Sequence, residues 1–226
     1  MKKVKQHFEE EARDFDEIIL RLIPFYDQMI NALVSSIHFD HQADIKVIDL
    51  GCGTGTIAKK IAERFKNSQI TCVDIASNMI GMAKTKMAKY NHTKYIIDDF
   101  AKIQFTENFD VVVSSLALHH LETDNQKIEF YKKIFDLLND KGTFMNGDVV
   151  LASTEYWQDL NMQKWIEYMS RSVSMQEIEN NWIPKYKSED RPAVLLDQLR
   201  WLKEIGFKHV DVIWKYFNFS VYGGIK

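Results

Sequence analysis

An apolar segment, Val47-Ile48-Asp49-Leu50, runs directly into Gly51-Cys52-Gly53-Thr54-Gly55, and a helix-like pattern follows at once. A strand, a glycine-rich turn and a helix in that order read as a nucleoside-cofactor loop. Glycines at alternate positions let the backbone turn sharply and approach a ligand closely, while the helix behind offers free N–H groups and a positive dipole end. The spacing then narrows the ligand. The dinucleotide fingerprint G-x-G-x-x-G/A is met at Gly51 and Gly53, but Thr56 occupies its third position and a glycine comes one residue early, at Gly55. No Gly-Lys-Ser or Gly-Lys-Thr closes the loop, which excludes a P-loop.

The rest of the chain alternates in the same way. Phe15 to Ile37 carries apolar residues at helical spacing, broken at Pro24 into two pieces. Strands are predicted at Lys46 to Leu50, Gln69 to Val73, Lys94 to Ile97, Phe109 to Ser114 and Thr143 to Val150. Helices are predicted at Thr56 to Phe65, at Ser77 to Lys89 with Ser77 as N-cap, and at Asn125 to Leu138. Asn139-Asp140-Lys141-Gly142 reads as a turn. The unbroken Val111-Val112-Val113 suits a strand buried on both faces, and the βαβα rhythm implies a parallel sheet with helices on both sides. Ala152 to Asn181 is helical and rich in aromatic residues and methionine. A last helix ends at Ile205-Gly206-Phe207, with Gly206 as its cap. Val210 to Trp214 and Tyr216 to Gly223 are joined too tightly for a crossover, so they form an antiparallel hairpin.

Asp49 through Gly55 resembles motif I of the class I S-adenosylmethionine (SAM)-dependent methyltransferases: an acidic residue, one residue, then G-x-G-x-G. The closing hairpin extends that resemblance over residues 45 to 226. It implies an α/β, Rossmann-like sheet, parallel with a C-terminal antiparallel hairpin, helices on both faces, N-terminal helices and a helical lid. It also implies SAM as cofactor and S-adenosylhomocysteine as product. With 226 residues and 46% hydrophobic content the chain can bury one large core. One domain is therefore expected: a cap over 1–40, a cofactor core over 45–150, a lid over 151–200 and a closing segment over 201–226.

Asp74 ends the second strand 19 residues after Gly55, where a carboxylate can accept both ribose hydroxyls. The family resemblance adds Ile75, Met79 against the adenine, Phe100, Ser115 and Leu116 after the fourth strand, Cys52 within the loop, and Tyr26. Either Asp98 or Asp99 would take the adenine amino group. His119 and His120 fall between cofactor and acceptor, and one could deprotonate the acceptor, bind a metal or serve as scaffold. Adjacent histidines on a regular element diverge, so no metal site is expected from the pair alone. Trp157, Met162, Trp165, Tyr168, Met169 and Trp182 either roof the active site or fill a core or dimer interface.

A net charge of −3 with interspersed signs gives no basic stripe for a nucleic-acid backbone. No apolar run reaches membrane-spanning length, the basic start leads into acids rather than an apolar signal region, and two cysteines make no disulfide framework. A cytoplasmic enzyme with a small-molecule acceptor, able to form a homodimer, is expected. The phrase Phe15-Asp16 leading to Ile23-Pro24-Phe25-Tyr26, and the tail Leu199 to Lys226, resemble the carboxy-SAM synthase branch, which serves tRNA wobble-uridine modification. That branch uses a lid arginine for the extra carboxylate. Ile178-Glu179-Asn180-Asn181-Trp182 lacks it, and Arg171 and Arg191 only flank the stretch. The departure favours methyl transfer from ordinary SAM, with carboxy-SAM synthesis and non-catalytic SAM binding as alternatives.

Overall fold

A computed structural model describes residues 2–226. Seven strands, β1 (Lys46–Leu50), β2 (Gln69–Asp74), β3 (Thr93–Ile97), β4 (Phe109–Ser115), β5 (Leu138–Val149), β6 (Lys208–Tyr216) and β7 (Phe219–Ile225), form one sheet in the order β3-β2-β1-β4-β5-β7-β6. The first five are parallel, and β7 inserts antiparallel between β5 and β6. Alternating side chains feed two cores. Val47, Val111 and Val113 pack on one side, and Ile48 and Val112 on the other, all fully buried. Strand order reverses between β1 and β4, so their carboxyl ends open a crevice, the usual ligand position in such sheets.

Ten α-helices among the described residues surround the sheet: α1 (Lys2–Glu11), α2 (Phe15–Leu22), α3 (Tyr26–Ser35), α4 (Thr56–Arg64), α5 (Ser77–Lys86), α6 (Asp124–Leu137), α7 (Glu155–Met169), the short α8 (Met175–Glu177), α9 (Ile183–Glu189) and α10 (Leu195–Ile205). A π-helical turn, Ile178–Trp182, joins α8 to α9. Gly206, at φ +123, ends α10 as expected, its amide and that of Phe207 reaching the Leu202 carbonyl.

Three local readings change. The Asn139–Gly142 turn lies inside β5 as a bulge. Pairing jumps from Phe109–Leu138 to Val111–Thr143, with Lys141 at φ +63 taking up the excess chain. The N-cap of α5 is Ala76, not Ser77, and alanine has no capping oxygen. Glu9 of α1 supplies it instead: its carboxylate accepts from the Ser77 and Asn78 amides at 2.7 and 2.8 Å and from the Ser77 hydroxyl at 2.9 Å. The Glu9 carbonyl also accepts from the Asn78 side chain at 2.8 Å, which docks α1 beside the crevice. The helix expected across 152–181 breaks after Met169, leaving α7 and the α8–α9 segment as separate walls.

Candidate functional site

The three loop glycines do different work. The amides of Gly51 and Cys52 both donate to the Val73 carbonyl at 2.9 Å, folding the turn back over β2. A Cβ on Gly51 would lie 2.4 Å from the Ala117 Cβ, whereas one on Gly53 would meet only the Phe15 ring, at 3.9 Å. Gly55 faces away from the crevice: its Cβ would press on Ala83 at 3.1 Å, so this glycine lets α4 pack on α5.

Asp74 straps the loop to the end of β2, accepting from the Gly53 and Ala76 amides at 2.9 Å each. Its oxygens keep further acceptor capacity. Asp49 is 1% exposed, and neither of its carboxylate oxygens has a hydrogen-bond partner. Burial first, and the neighbouring charge of Asp74 second, push its pKa up to about 7, with the Ala58 amide acting weakly the other way. Asp16 of α2 clamps the loop from outside. It accepts from the Thr54 hydroxyl and the Lys86 ammonium at 2.6 Å each, and Lys86 also reaches Thr54 and Thr56.

The crevice spans about 720 Å³ counted with the solvent at its open mouth. Asp49, Gly51, Cys52, Gly53, Asp74, Ile75, Met79, Phe100, Ser115, Leu116 and Tyr26 all line it, as do His120 and the unforeseen Phe8 of α1. Asp98 and Asp99 do not. Asp98 is exposed and accepts from the Asp99 amide, while the buried Asp99 turns to the Ala101 amide and pairs with Lys102 at 3.1 Å. Two carboxylates and no lysine or arginine line the crevice among the described residues. That polarity rejects a pyrophosphate and fits a nucleoside carrying a cationic centre.

A second cavity, about 800 Å³ counted with the solvent at its mouth, shares Phe8, Phe15, Leu116 and His120 with the first. Helix α2 contributes Ile19 and Leu22, α7 Trp165, and the π turn and α9 Trp182 and Tyr186. The Trp165 indole donates to the Leu22 carbonyl at 2.7 Å, tying α7 to α2 across this chamber. Leu116, held at φ +50, separates the two spaces at the end of β4.

His119 and His120 form the polar end of the chamber. The expectation that they diverge is overturned, because they sit on a 3₁₀ turn, Leu118–His120, rather than on a regular strand. Their ring centroids are 4.1 Å apart, and both approach Asp190, at 3.5 Å from His119 Nε2 and 3.6 Å from His120 Nδ1. His119 Nδ1 lies 2.5 Å from the buried Asp148 carboxylate. Burial alone would lower the His119 pKa, but the charges of Asp148 and Asp190 outweigh it and bring it to about 10. His120 goes the other way. Burial and the charge of His119 lower its pKa to about 3, and its Nε2 is buried without a partner. His119 lines the chamber only; His120 lines both spaces.

Asp148 and Asp190 escape the sequence reading. An acid at the inner end of a buried strand was the available signal for Asp148. Asp190 had none, since it arrives through the Arg191 amide bonding to the His119 carbonyl at 2.9 Å.

The model of a family described as "Methyltransferase domain" matches residues 47–142, from β1 into the β5 bulge. The chain is 25% identical to a carboxy-S-adenosyl-L-methionine synthase of Campylobacter lari, over 100% of this chain and 97% of that one. It is 28% identical to malonyl-acyl-carrier-protein O-methyltransferase 2 of Ilyobacter polytropus, over 91% and 80%. The N-methyltransferase NodS of Bradyrhizobium japonicum, solved with S-adenosylhomocysteine, shares the fold with a TM-score of 0.64 at 17% identity, over 97% of each chain. The chain spans 55% and 59% of two larger methyltransferase chains of the same fold.

In its fold, its glycine loop and the methyltransferase-domain match over residues 47–142 the chain is similar to the class I SAM-dependent methyltransferases. Within that class the chain resembles the carboxy-SAM synthase branch. No helix among the described residues is long and apolar enough to cross a membrane.

Proposed function

We propose that the protein transfers the methyl group of SAM to a small, largely apolar acceptor seated in the chamber, with its nucleophile at the His119–His120 end. The adjacency of the two spaces, which share Phe8, Phe15, Leu116 and His120 as lining, carries this reading. In the proposed arrangement Asp74 holds the ribose hydroxyls, Met79 and Ile75 pack on the adenine, and Asp49 faces the cationic methionine end. SAM supplies a methyl group already activated on sulfonium, so the protein's share is alignment and exclusion of water. Helices α1 and α2 and the α7–α9 lid do both, and His119 and His120 serve the acceptor side.

Methyl donation is favoured over carboxy-SAM synthesis by the missing lid arginine. A carboxylate added at the methyl position would face the chamber, whose lining among the described residues has Lys185 but no arginine. The two flanking arginines are occupied elsewhere: Arg171 lies over the Tyr168 ring at 5.6 Å, and Arg191 donates to the carbonyls of Lys187, Ser188 and Asp190. Cys52 and Cys72 are free thiols, which suits a reducing, cytoplasmic compartment.

Two expected results test the two spaces separately. Trp182→Ala removes a wall of the chamber only, and should lower kcat/KM for the acceptor by about tenfold or more while S-adenosylhomocysteine affinity stays the same. A parallel fall in both would deny that the chamber is a separate acceptor site.

Asp49 tests the cofactor side. Its proton must leave before it can face a cation, so SAM affinity should rise with pH by about tenfold per unit below 7 and level off above it. Calorimetry of Asp49→Asn should show that slope removed. A flat pH profile for the natural protein would contradict the assignment.

A further inference from the structure

His119, His120 and Asp190 each bring a ligand atom into one group whose members lie within 4.8 Å of one another. The separations are diagnostic. Asp190 Oδ1 stands 3.5 Å from His119 Nε2 and 3.6 Å from His120 Nδ1, too far for good hydrogen bonds. They are close to the edges of a tetrahedron built on metal–ligand bonds of about 2.0–2.2 Å, which span about 3.4 Å. His119 Nδ1 is bound to the buried Asp148, which also accepts the His119 amide at 3.1 Å and the Val149 amide at 2.9 Å. A carboxylate behind a histidine, fixing its ring and turning Nε2 outward, is the arrangement that orients metal-binding histidines. His120, nine-tenths buried, would ligate through Nδ1, which also lies 3.4 Å from the Glu189 carbonyl, leaving the ring proton on Nε2.

We infer that His119, His120 and Asp190 form a binding site for a divalent transition metal at the polar end of the acceptor chamber. Two imidazoles and one carboxylate suit zinc, iron, cobalt or nickel better than calcium or magnesium, and three protein ligands leave positions open toward the chamber. The metal's role rests on the methyl-transfer reading; its binding does not. An acceptor hydroxyl or thiol ligating the open position would release its proton to water. Its lone pair would then form the new bond to the methyl carbon as the carbon–sulfur bond breaks, leaving neutral S-adenosylhomocysteine.

The full chain, stripped with chelator and saturated with S-adenosylhomocysteine, should be titrated with Co²⁺ and followed by visible absorption. About one equivalent should bind and give the intense d–d bands of a low-coordinate site. Asp190→Asn and His119→Gln should each weaken it by at least about tenfold. Asp190→Asn should bind S-adenosylhomocysteine as the natural protein does, since Asp190 does not line the cofactor crevice. No saturable Co²⁺ binding, or binding equal in Asp190→Asn and His119→Gln to that of the natural protein, would overturn the site. Failure to bind S-adenosylhomocysteine would overturn the cofactor reading instead, so the two failures are distinct.

Discussion

Asp74→Ala is expected to weaken SAM and S-adenosylhomocysteine binding by about 10² to 10⁴-fold. A hydrogen bond to a charged acceptor contributes about 1.5–3 kcal/mol, and two ribose hydroxyls meet this carboxylate in the proposed complex. Part of the loss comes from the protein itself. Asp74 holds the Gly53 and Ala76 amides, so alanine also slackens the loop and leaves one buried and one part-buried donor unsatisfied. Asp74→Asn separates the effects, because its amide oxygen can still hold one of those amides; it should retain most of the stability and still lose cofactor affinity. Calorimetry with S-adenosylhomocysteine beside urea unfolding reads both quantities. Affinity within threefold of the natural protein in Asp74→Ala would remove Asp74 from the site.

Gly51→Ala should be the most damaging single-methyl change in the loop. Its φ of +73 costs an alanine about 1–2 kcal/mol, and a Cβ 2.4 Å from that of Ala117 forces the ends of β1 and β4 apart for about 1–3 kcal/mol more. Gly53→Ala is the control. It shares the positive φ but adds its methyl at ordinary contact distance from the Phe15 ring, so it should lose little beyond the conformational cost while obstructing the cofactor. Unfolding should therefore single out Gly51→Ala. Equal destabilisation by the two variants would show that the Ala117 contact does not govern the loop.

The sheet was legible because burial on both faces writes continuous apolar runs, as at Val111–Val113, and because a tight connection leaves β6 and β7 only a hairpin. The glycine loop was legible through spacing, although spacing could not show that Gly55 serves helix packing rather than the ligand. What stayed hidden depends on partners distant along the chain. Helix α1 is strongly polar in composition and is held by Glu9 capping α5. The histidines converge because a 3₁₀ turn breaks the alternation assumed for them, and their carboxylates arrive from β5 and from the end of α9. Asp98 and Asp99 matched a family position, but hydrogen bonds within their own turn, invisible in sequence, aim Asp99 away from the crevice.

The central claim is that one chain places the SAM sulfonium where the glycine-loop crevice opens into the aromatic chamber. A crystal structure with S-adenosylhomocysteine tests it most directly. The account predicts the ribose on Asp74 and the sulfur beside Leu116 and His120, facing the space walled by Trp165 and Trp182. A nucleoside bound outside the crevice, or a sulfur sealed off from that chamber, would contradict it.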